Sequence, residues 1–280
     1  MNLNPLGQQT EYISVYSPHL LFPISRAESR KLLGIGTALP FFGEDIWTAY
    51  ELSWLDPKGK PVVAIAEFFI PCDSEFMIES KSFKLYLNSL NQTRYQSVAE
   101  VEDLLVKDLS AVACAMVRVR LYPLLPAQAS HWRAQPAHLL NAVSWNGVLL
   151  DELPISVDTY YPAPELLSTA SEKVSESLVS HLLKTNCPVT GQPDWASICV
   201  SYTGYKIDHE NLLRYIISFR EHQDFHEHCV ERIFSDIAYH CKPESLTVYA
   251  RYTRRGGLDI NPFRSSDSEA IPALLRLVRQ

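Results

Sequence analysis

Two hydrophobic patterns alternate along the chain. In "ELSWLDPKGKPVVAIAEFFIP" (51–71), aromatic and β-branched residues flank "DPKG", which predicts two strands around a turn. In "QSVAEVEDLLVKDL" (96–109), Val98, Val101, Leu105 and Leu109 share one face of a predicted helix. "MVRVRLY" (116–122) alternates as a strand does, and "YPLLPAQASHWRAQPAH" (122–138) reads as an irregular connection. The second half repeats this order. "CPVTGQPDWASICVSYT" (187–203) predicts a turn feeding a strand, "ENLLRYIISFREH" (210–222) and "HEHCVERIFSDIAYHC" (226–241) predict helices, and "SLTVYARYT" (245–253) predicts a strand. "KVSESLVSHLLKTN" (173–186) is ambiguous. Val174, Leu178 and Leu182 fit a helix, yet the segment stands where the first half has a strand.

The shared order points to an internal repeat. Setting Ile78 over Ile207 (207 − 78 = 129) also matches Tyr86 with Tyr215, Ser89 with Ser218, Val101 with Val230 and Glu102 with Glu231. Upstream, Pro61 over Pro193 (193 − 61 = 132) also matches Ala64 with Ala196. The expectation is two diverged copies of a ββααββ unit, at 1–150 and 151–280. At these offsets Cys187 lies opposite Leu55, Asp194 opposite Val62, and "FHE" (225–227) opposite Gln96, Ser97 and Val98. "ESK" (79–81) lies opposite Asp208, His209 and Glu210. Each half holds chemistry that the other lacks, the pattern of a site to which both contribute.

Composition narrows the function classes. Of 280 residues, 46% are hydrophobic and 20% charged, so packed cores are expected. A net charge of −7 argues against broad binding of nucleic-acid backbones, though not of small anionic ligands. "MNLNPLGQQTEY" lacks the pattern of a signal peptide, and no apolar run approaches the ~20 residues of a membrane helix. A cytoplasmic protein that binds neither membrane nor nucleic acid is expected. The six cysteines are scattered without CxxC spacing and should be reduced.

In "NCPVTGQPDW" (186–195), Cys187 sits at a proline turn as a candidate accessible nucleophile, against the alternative of a small hydrophobe at a strand edge. Asp194 suits a general acid or base, or simply caps the turn. Phe225 can stack on a polar ring that His226 and Glu227 hydrogen-bond, or all three begin an ordinary helix. His226, His228, Cys229 and Cys187 offer zinc ligands, but adjacent helical side chains diverge by about 100°, a poor spacing. Arg254, Arg255, Gly256 and Gly257 can bind phosphate through charge and close main-chain approach, with Lys81 adding charge, or form a basic surface turn. "GIGTALPFFG" is a lone GxG and carries little weight.

Together "IESKSFKLYLNS", "NCPVTGQPDW", "SFREHQDFHEHCVERI" and "YARYTRRGGLDINP" resemble the nitrile reductases that act on 7-cyano-7-deazaguanine, in the biosynthesis of the tRNA base queuosine. "DIWTAYELSWLDPKGKP" resembles their long, two-domain form, and the likeness covers almost the whole chain. It implies an α+β tunnelling fold, with tandem ββααββ units, antiparallel sheets and helices on one face. It implies reduction of a nitrile to a primary amine by two NADPH, without a metal, in a homodimer. Carried over by residue, Cys187 matches the nucleophile that forms a covalent thioimide, and Asp194 the proton donor. Ile78, Glu79, Ser80, His226 and Glu227 match substrate contacts, with His226 a further proton relay and Phe225 added as a stacking wall. Ser80, Lys81, Arg255 and Gly256 match NADPH contacts. The resemblance makes 173–186 a strand running into the Cys187 turn. A zinc-dependent hydrolase of the cyclohydrolase type and a non-catalytic pterin- or purine-binding module are the alternatives.

Overall fold

The structure, a computed structural model, describes residues 12–124 and 136–280. Most of the N-terminal stretch and of the Pro/Ala-rich connection therefore lies outside the described residues. The chain begins with β1 (Pro23–Ser25), α1 (Arg26–Leu32), β2 (Phe42–Leu55), β3 (Pro61–Pro71), β4 (Phe76–Ile78), α2 (Ser80–Ser89), α3 (Val98–Ala113), β5 (Arg118–Pro123) and α4 (Ala137–Leu140). It continues with β6 (Val148–Leu149), β7 (Thr169–Ser180), β8 (Lys184–Asn186), β9 (Pro193–Ile207), α5 (His209–Ser218), α6 (His226–Cys241), β10 (Ser245–Tyr252) and β11 (Leu258–Ser265). This is an α+β chain whose strands pair mainly antiparallel.

Two compact units emerge, each drawn from several stretches. One comprises the described parts of Met1–Ser29 and Asp45–Leu140, with Arg254–Asp259; the other comprises Arg30–Glu44, Asn141–Thr253 and Ile260–Gln280.

In the first unit the strand order is β5-β3-β2, and β1 pairs separately with β4. Phe83 of α2 packs edge-on against Trp47 and Phe68, with ring centroids 5.2 and 4.9 Å apart. Val101, Leu105 and Leu109 of α3 are fully buried, the stripe its apolar spacing predicts. In the second unit the order is β11-β10-β9-β7-β6, with β8 also on β9. Cys229, Ile233 and Ile237 of α6 and Leu212 and Tyr215 of α5 are buried. The ambiguous segment resolves into β7 and β8, both strands.

The repeat recurs in detail. The first helices, α2 and α5, have 10 residues each and are capped by the carboxylates of Glu79 and Asp208. Ser89 and Ser218 donate to the carbonyls of Tyr86 and Tyr215, 2.6 Å in both units. The Tyr86 hydroxyl donates to Asp108 and the Tyr215 hydroxyl to Asp236, at 2.7 and 2.6 Å. The second helices, α3 and α6, have 16 residues each and end at left-handed residues Cys114 and Lys242. That fixes their offset at 242 − 114 = 128, not 129. Val101 therefore answers to Cys229 and Asp103 to Glu231, correcting the pairs Val101/Val230 and Glu102/Glu231. "FHE" correspondingly stands over Ser97, Val98 and Ala99. The connection between the helices is one residue shorter in the second unit, which the few identities did not register.

Candidate active site

The second unit gathers four of the candidate residues. β8 pairs with β9 so that Thr185 faces Asp194 and Asn186 faces Pro193. The ladder extends one step further, because the Cys187 N–H donates to the Gln192 carbonyl at 2.9 Å. Side chains alternate along strands, so Thr185, Cys187 and Asp194 lie on one face. Cys187 and Asp194 are then diagonal neighbours, with Cα atoms roughly 7–8 Å apart. Gly191 donates back to the Cys187 carbonyl at 3.0 Å and closes the turn. The expected accessible thiol is corrected here: Cys187 is only 4% exposed and Asp194 only 6%. Both stand on pinned main chain, which suits a preorganised site.

α6 brings the other two. Its first residue, His226, sets Nε2 3.3 Å from Asp194 Oδ2. The imidazole lies flat on the Tyr252 ring, 3.8 Å between centroids and 1° between planes. Its Nδ1 is buried without a hydrogen-bond partner. Glu227 follows, buried. Phe225 caps α6 without a side-chain hydrogen bond and rests edge-on against His228, 5.9 Å away.

The segment before α6 ties it to the cysteine turn. Asn186 N–H donates to the His222 carbonyl at 2.8 Å, and Asp224 N–H donates to the Asn186 carbonyl at 3.1 Å. The Asp224 carboxylate accepts from the Phe225 N–H at 2.8 Å and meets His228 Nδ1 at 3.2 Å. Burial alone would raise its carboxyl pKa. The nearby His222 ring, 3.6 Å away, together with His228 and the Phe225 N–H, outweighs burial and holds it well below the usual carboxylate range. One turn along α6, the buried Glu231 carboxylate takes Arg30 Nη2 at 2.7 Å and Arg264 Nη2 at 2.8 Å. This buried triad anchors α6 beyond its first turn.

Burial pushes the Cys199, Cys229 and Cys241 thiols up, Cys241 to about 11. They stay protonated and serve as small hydrophobes.

The first unit places the remaining candidates. Ile78 ends β4 and is buried. Both Glu79 carboxylate oxygens cap α2, accepting from Lys81 N–H at 2.8 Å and Ser82 N–H at 2.7 Å. Ser80 and Lys81, half-buried, open the helix. In this unit a cleft of about 270 Å³ is lined by Glu51, Lys84, Asn88, Asn91, Gly256 and Gly257, among others. Both glycines have left-handed φ, +60° and +70°. A Cβ on Gly257 would strike the Glu51 carboxylate at 2.3 Å, and one on Gly256 would reach 3.4 Å from Lys84 Nζ. An amine beside open main chain can hold one phosphate group; of Ser80, Lys81, Arg255 and Gly256, this cleft takes in Gly256, and the Glu51 carboxylate lines it too. Arg254 lies over the Tyr50 ring at 4.0 Å.

Sequence reasoning passed over Tyr252, Asp224 and Lys84. Lys84 carried a signal, since it stands three residues from Lys81 on the same helix. Tyr252 carried none.

Residues 12–121 match the family described as nitrile reductase, 7-cyano-7-deazaguanine-reductase N-term, and residues 193–270 match the one described as QueF-like protein. A protein of Bordetella avium (strain 197N), named NADPH-dependent 7-cyano-7-deazaguanine reductase, is 57% identical over 277 residues, covering 99% of this chain and 98% of its own. Proteins of the same name from Azoarcus sp. (strain BH72) and Dechloromonas aromatica (strain RCB) are 55% and 56% identical, covering 95% and 99% of this chain and 92% and 95% of their own. The solved archaeosine synthase QueF-Like in the apo form aligns with 37% of this chain and 99% of its own at 15% identity and a TM-score of 0.30, too slight a likeness to bear on the fold. With more than half of its positions identical to those relatives over nearly their full length, the chain belongs to the family of NADPH-dependent 7-cyano-7-deazaguanine reductases.

Proposed function

We propose that this chain reduces the nitrile of 7-cyano-7-deazaguanine to a primary amine with two NADPH, through a thioimide on Cys187. The observation that carries the reading is the convergence of Cys187, Asp194 and His226 in a chain whose relatives are named NADPH-dependent 7-cyano-7-deazaguanine reductase. The Cys187 sulfur adds to the nitrile carbon, and the nitrogen takes a proton from Asp194. The new C–S bond turns an inert triple bond into a C=N. NADPH, when bound, supplies one hydride to that carbon and a second to the imine left when the thiolate departs. The carbon thus gains two hydrides and the nitrogen two protons, while the thiol is returned. His226, beside Asp194, holds or relays the proton. Glu227 suits the N–H-rich edge of a deazaguanine, with Phe225 as a stacking wall.

From the first unit, the same reading assigns substrate contacts to Ile78, Glu79 and Ser80, and NADPH contacts to Ser80, Lys81, Arg255 and Gly256. The capping role of Glu79 bears on this: its oxygens already accept from helix N–H groups, and carboxylates retain further lone pairs. The product belongs to queuosine biosynthesis, and the protein acts as a cytoplasmic homodimer of tandem tunnelling-fold units.

Intact-mass spectrometry of the protein with 7-cyano-7-deazaguanine, without NADPH, tests substrate and nucleophile together. The mass should rise by that of the nitrile in the wild type and in Asp194→Asn, and not in Cys187→Ala. An adduct on Cys187→Ala would remove the nucleophile. Normal turnover by Asp194→Asn would remove its role as acid.

A further inference from the structure

We propose that Tyr252 is the positioning residue for His226, a plate that fixes the imidazole plane so that Nε2 meets Asp194 while Nδ1 stays open to a ligand atom. The catalytic consequence rests on the function proposed above; the stack itself does not.

The geometry comes from β10. Side chains alternate along it, and the buried Leu246, Val248, Ala250 and Tyr252 share a face. Tyr252, 0% exposed, is the last of that row. Its main chain is held on several sides. Its N–H donates to the buried Asn261 side chain at 3.1 Å. Its carbonyl accepts from Gln280 Nε2, also at 3.1 Å. The next residue, Thr253, donates to the Trp195 carbonyl at 2.8 Å, one residue from Asp194. The strand that holds the plate is thereby tied to the strand that holds the acid.

Without the plate, the polar contact left to His226 among the described residues is its 3.3 Å approach to Asp194, and the broad terminal torsion of a histidine is not fixed by one contact. With the ring held against Tyr252 at 3.8 Å, only rotation within that plane remains, and the Asp194 contact fixes that too. A histidine at the first residue of a helix would otherwise sample solvent. Burial pushes the Tyr252 phenol well above its ordinary value, so the plate neither donates a proton nor carries charge at working pH. The proposed reaction asks of Tyr252 only that it support this ring.

The test separates adduct formation, which is proton-neutral because the proton lost by the thiol is matched by the one Asp194 gives to the nitrogen, from turnover, which draws two further protons by way of Asp194 and His226. Tyr252→Phe keeps the plate and should keep both rates within about 3-fold of wild type. Tyr252→Leu removes it and should lower kcat for NADPH oxidation 10- to 100-fold, the cost of an ångström-scale misplacement, while adduct formation without NADPH stays within about 3-fold. A purely structural tyrosine would lower both steps together, in proportion to folded protein, and that result overturns the proposal. So does a Tyr252→Leu variant with unchanged kcat. Should Tyr252→Leu fail to fold, the wild type decides by proton NMR. The His226 ring protons, assigned by their loss in His226→Gln, should be shifted upfield by the stacked phenol and return to ordinary values in Tyr252→Met. Unshifted protons in the wild type overturn the stack. A wild type that forms no adduct but shows the shifted protons counts against the proposed function and not against the positioning.

Discussion

The starts of α3 and α6 are the same element in two copies, and they are built to different ends. At α3, Ser97 caps the helix by accepting from the Glu100 N–H at 3.1 Å, and Glu100 in turn accepts from the Gln96 N–H. Val98 and Ala99 follow, half-buried and exposed. At α6, one offset of 128 later, Phe225 replaces the serine and makes no side-chain cap, and His226 and Glu227 replace the valine and alanine. The neighbouring Asp224 takes over the helix start, accepting from the Phe225 N–H. The hairpins differ in the same sense. In the first unit Asp56 closes its own turn, accepting from the Lys58 and Lys60 N–H groups at 2.9 Å. In the second, the same main-chain bonds close the turn around a buried Cys187, and the side-chain help shrinks to Thr190 Oγ1 accepting from the Gln192 N–H at 3.4 Å. One copy satisfies its termini with local polar side chains. The other places Cys187, Phe225, His226 and Glu227 there and satisfies the main chain from residues nearby.

The widest gap between the copies is at the equivalent positions Asp103 and Glu231. Asp103 is exposed, whereas Glu231 is fully buried between two guanidinium groups. Breaking a buried ion pair by removing one partner costs about 3–5 kcal/mol, because a buried charge is left without its counterpart. Glu231→Gln should therefore lower the thermal midpoint by on the order of 10 °C, and Asp103→Asn should leave it almost unchanged. Equal effects measured by scanning calorimetry would mean that the triad does not distinguish the copies.

A smaller effect follows from Asp224, whose carboxyl is held below its ordinary value in the folded chain. Above about pH 5 both folded and unfolded chains carry it ionised, and its contribution is complete. Below that, the unfolded chain binds the proton first, so stability falls as pH falls. Asp224→Asn should be less stable than the wild type at pH 7 and should lose part of the decline between about pH 4 and pH 2, read from urea midpoints. An unchanged acid limb would show that Asp224 is not what holds this helix start.

Much of this was open to reading from residue order, and the exceptions have physical causes. α6 was legible to the residue because Val230, Ile233, Ile237 and Cys241 repeat at helical spacing. β7 was not. Its Val174 and Leu178 are four apart, close to one helical turn and also a multiple of the strand period of two, so both elements place them on one face. The site pair Cys187 and Asp194 came from a motif, and their shared face follows from the β8–β9 pairing. Tyr252 and the Arg30–Glu231–Arg264 triad were invisible. Each depends on partners 26 to 201 residues away, as 252 − 226 = 26 and 231 − 30 = 201 show, and no local period encodes such contacts. The offset between α3 and α6 was misread by one because scattered identities tolerate a gap that left-handed helix ends do not.

The smallest expected effect cuts most directly into the comparison, because it asks whether the second copy can be turned back toward the first. Ser97→Ala should cost about 1 kcal/mol, the ordinary value of a helix cap. Phe225→Ser restores at α6 the residue that α3 has, and should return up to about that much in stability, less what the lost edge-on contact with His228 contributed. If Phe225 stands there to stack on a substrate ring, the same change should raise KM for the nitrile several-fold while Cys187 still forms its adduct. A variant that gains stability with KM unchanged would leave Phe225 a poor cap without a function. One that loses both stability and the adduct would make the aromatic ring part of the packing of α6, and would assign the missing cap wholly to Asp224.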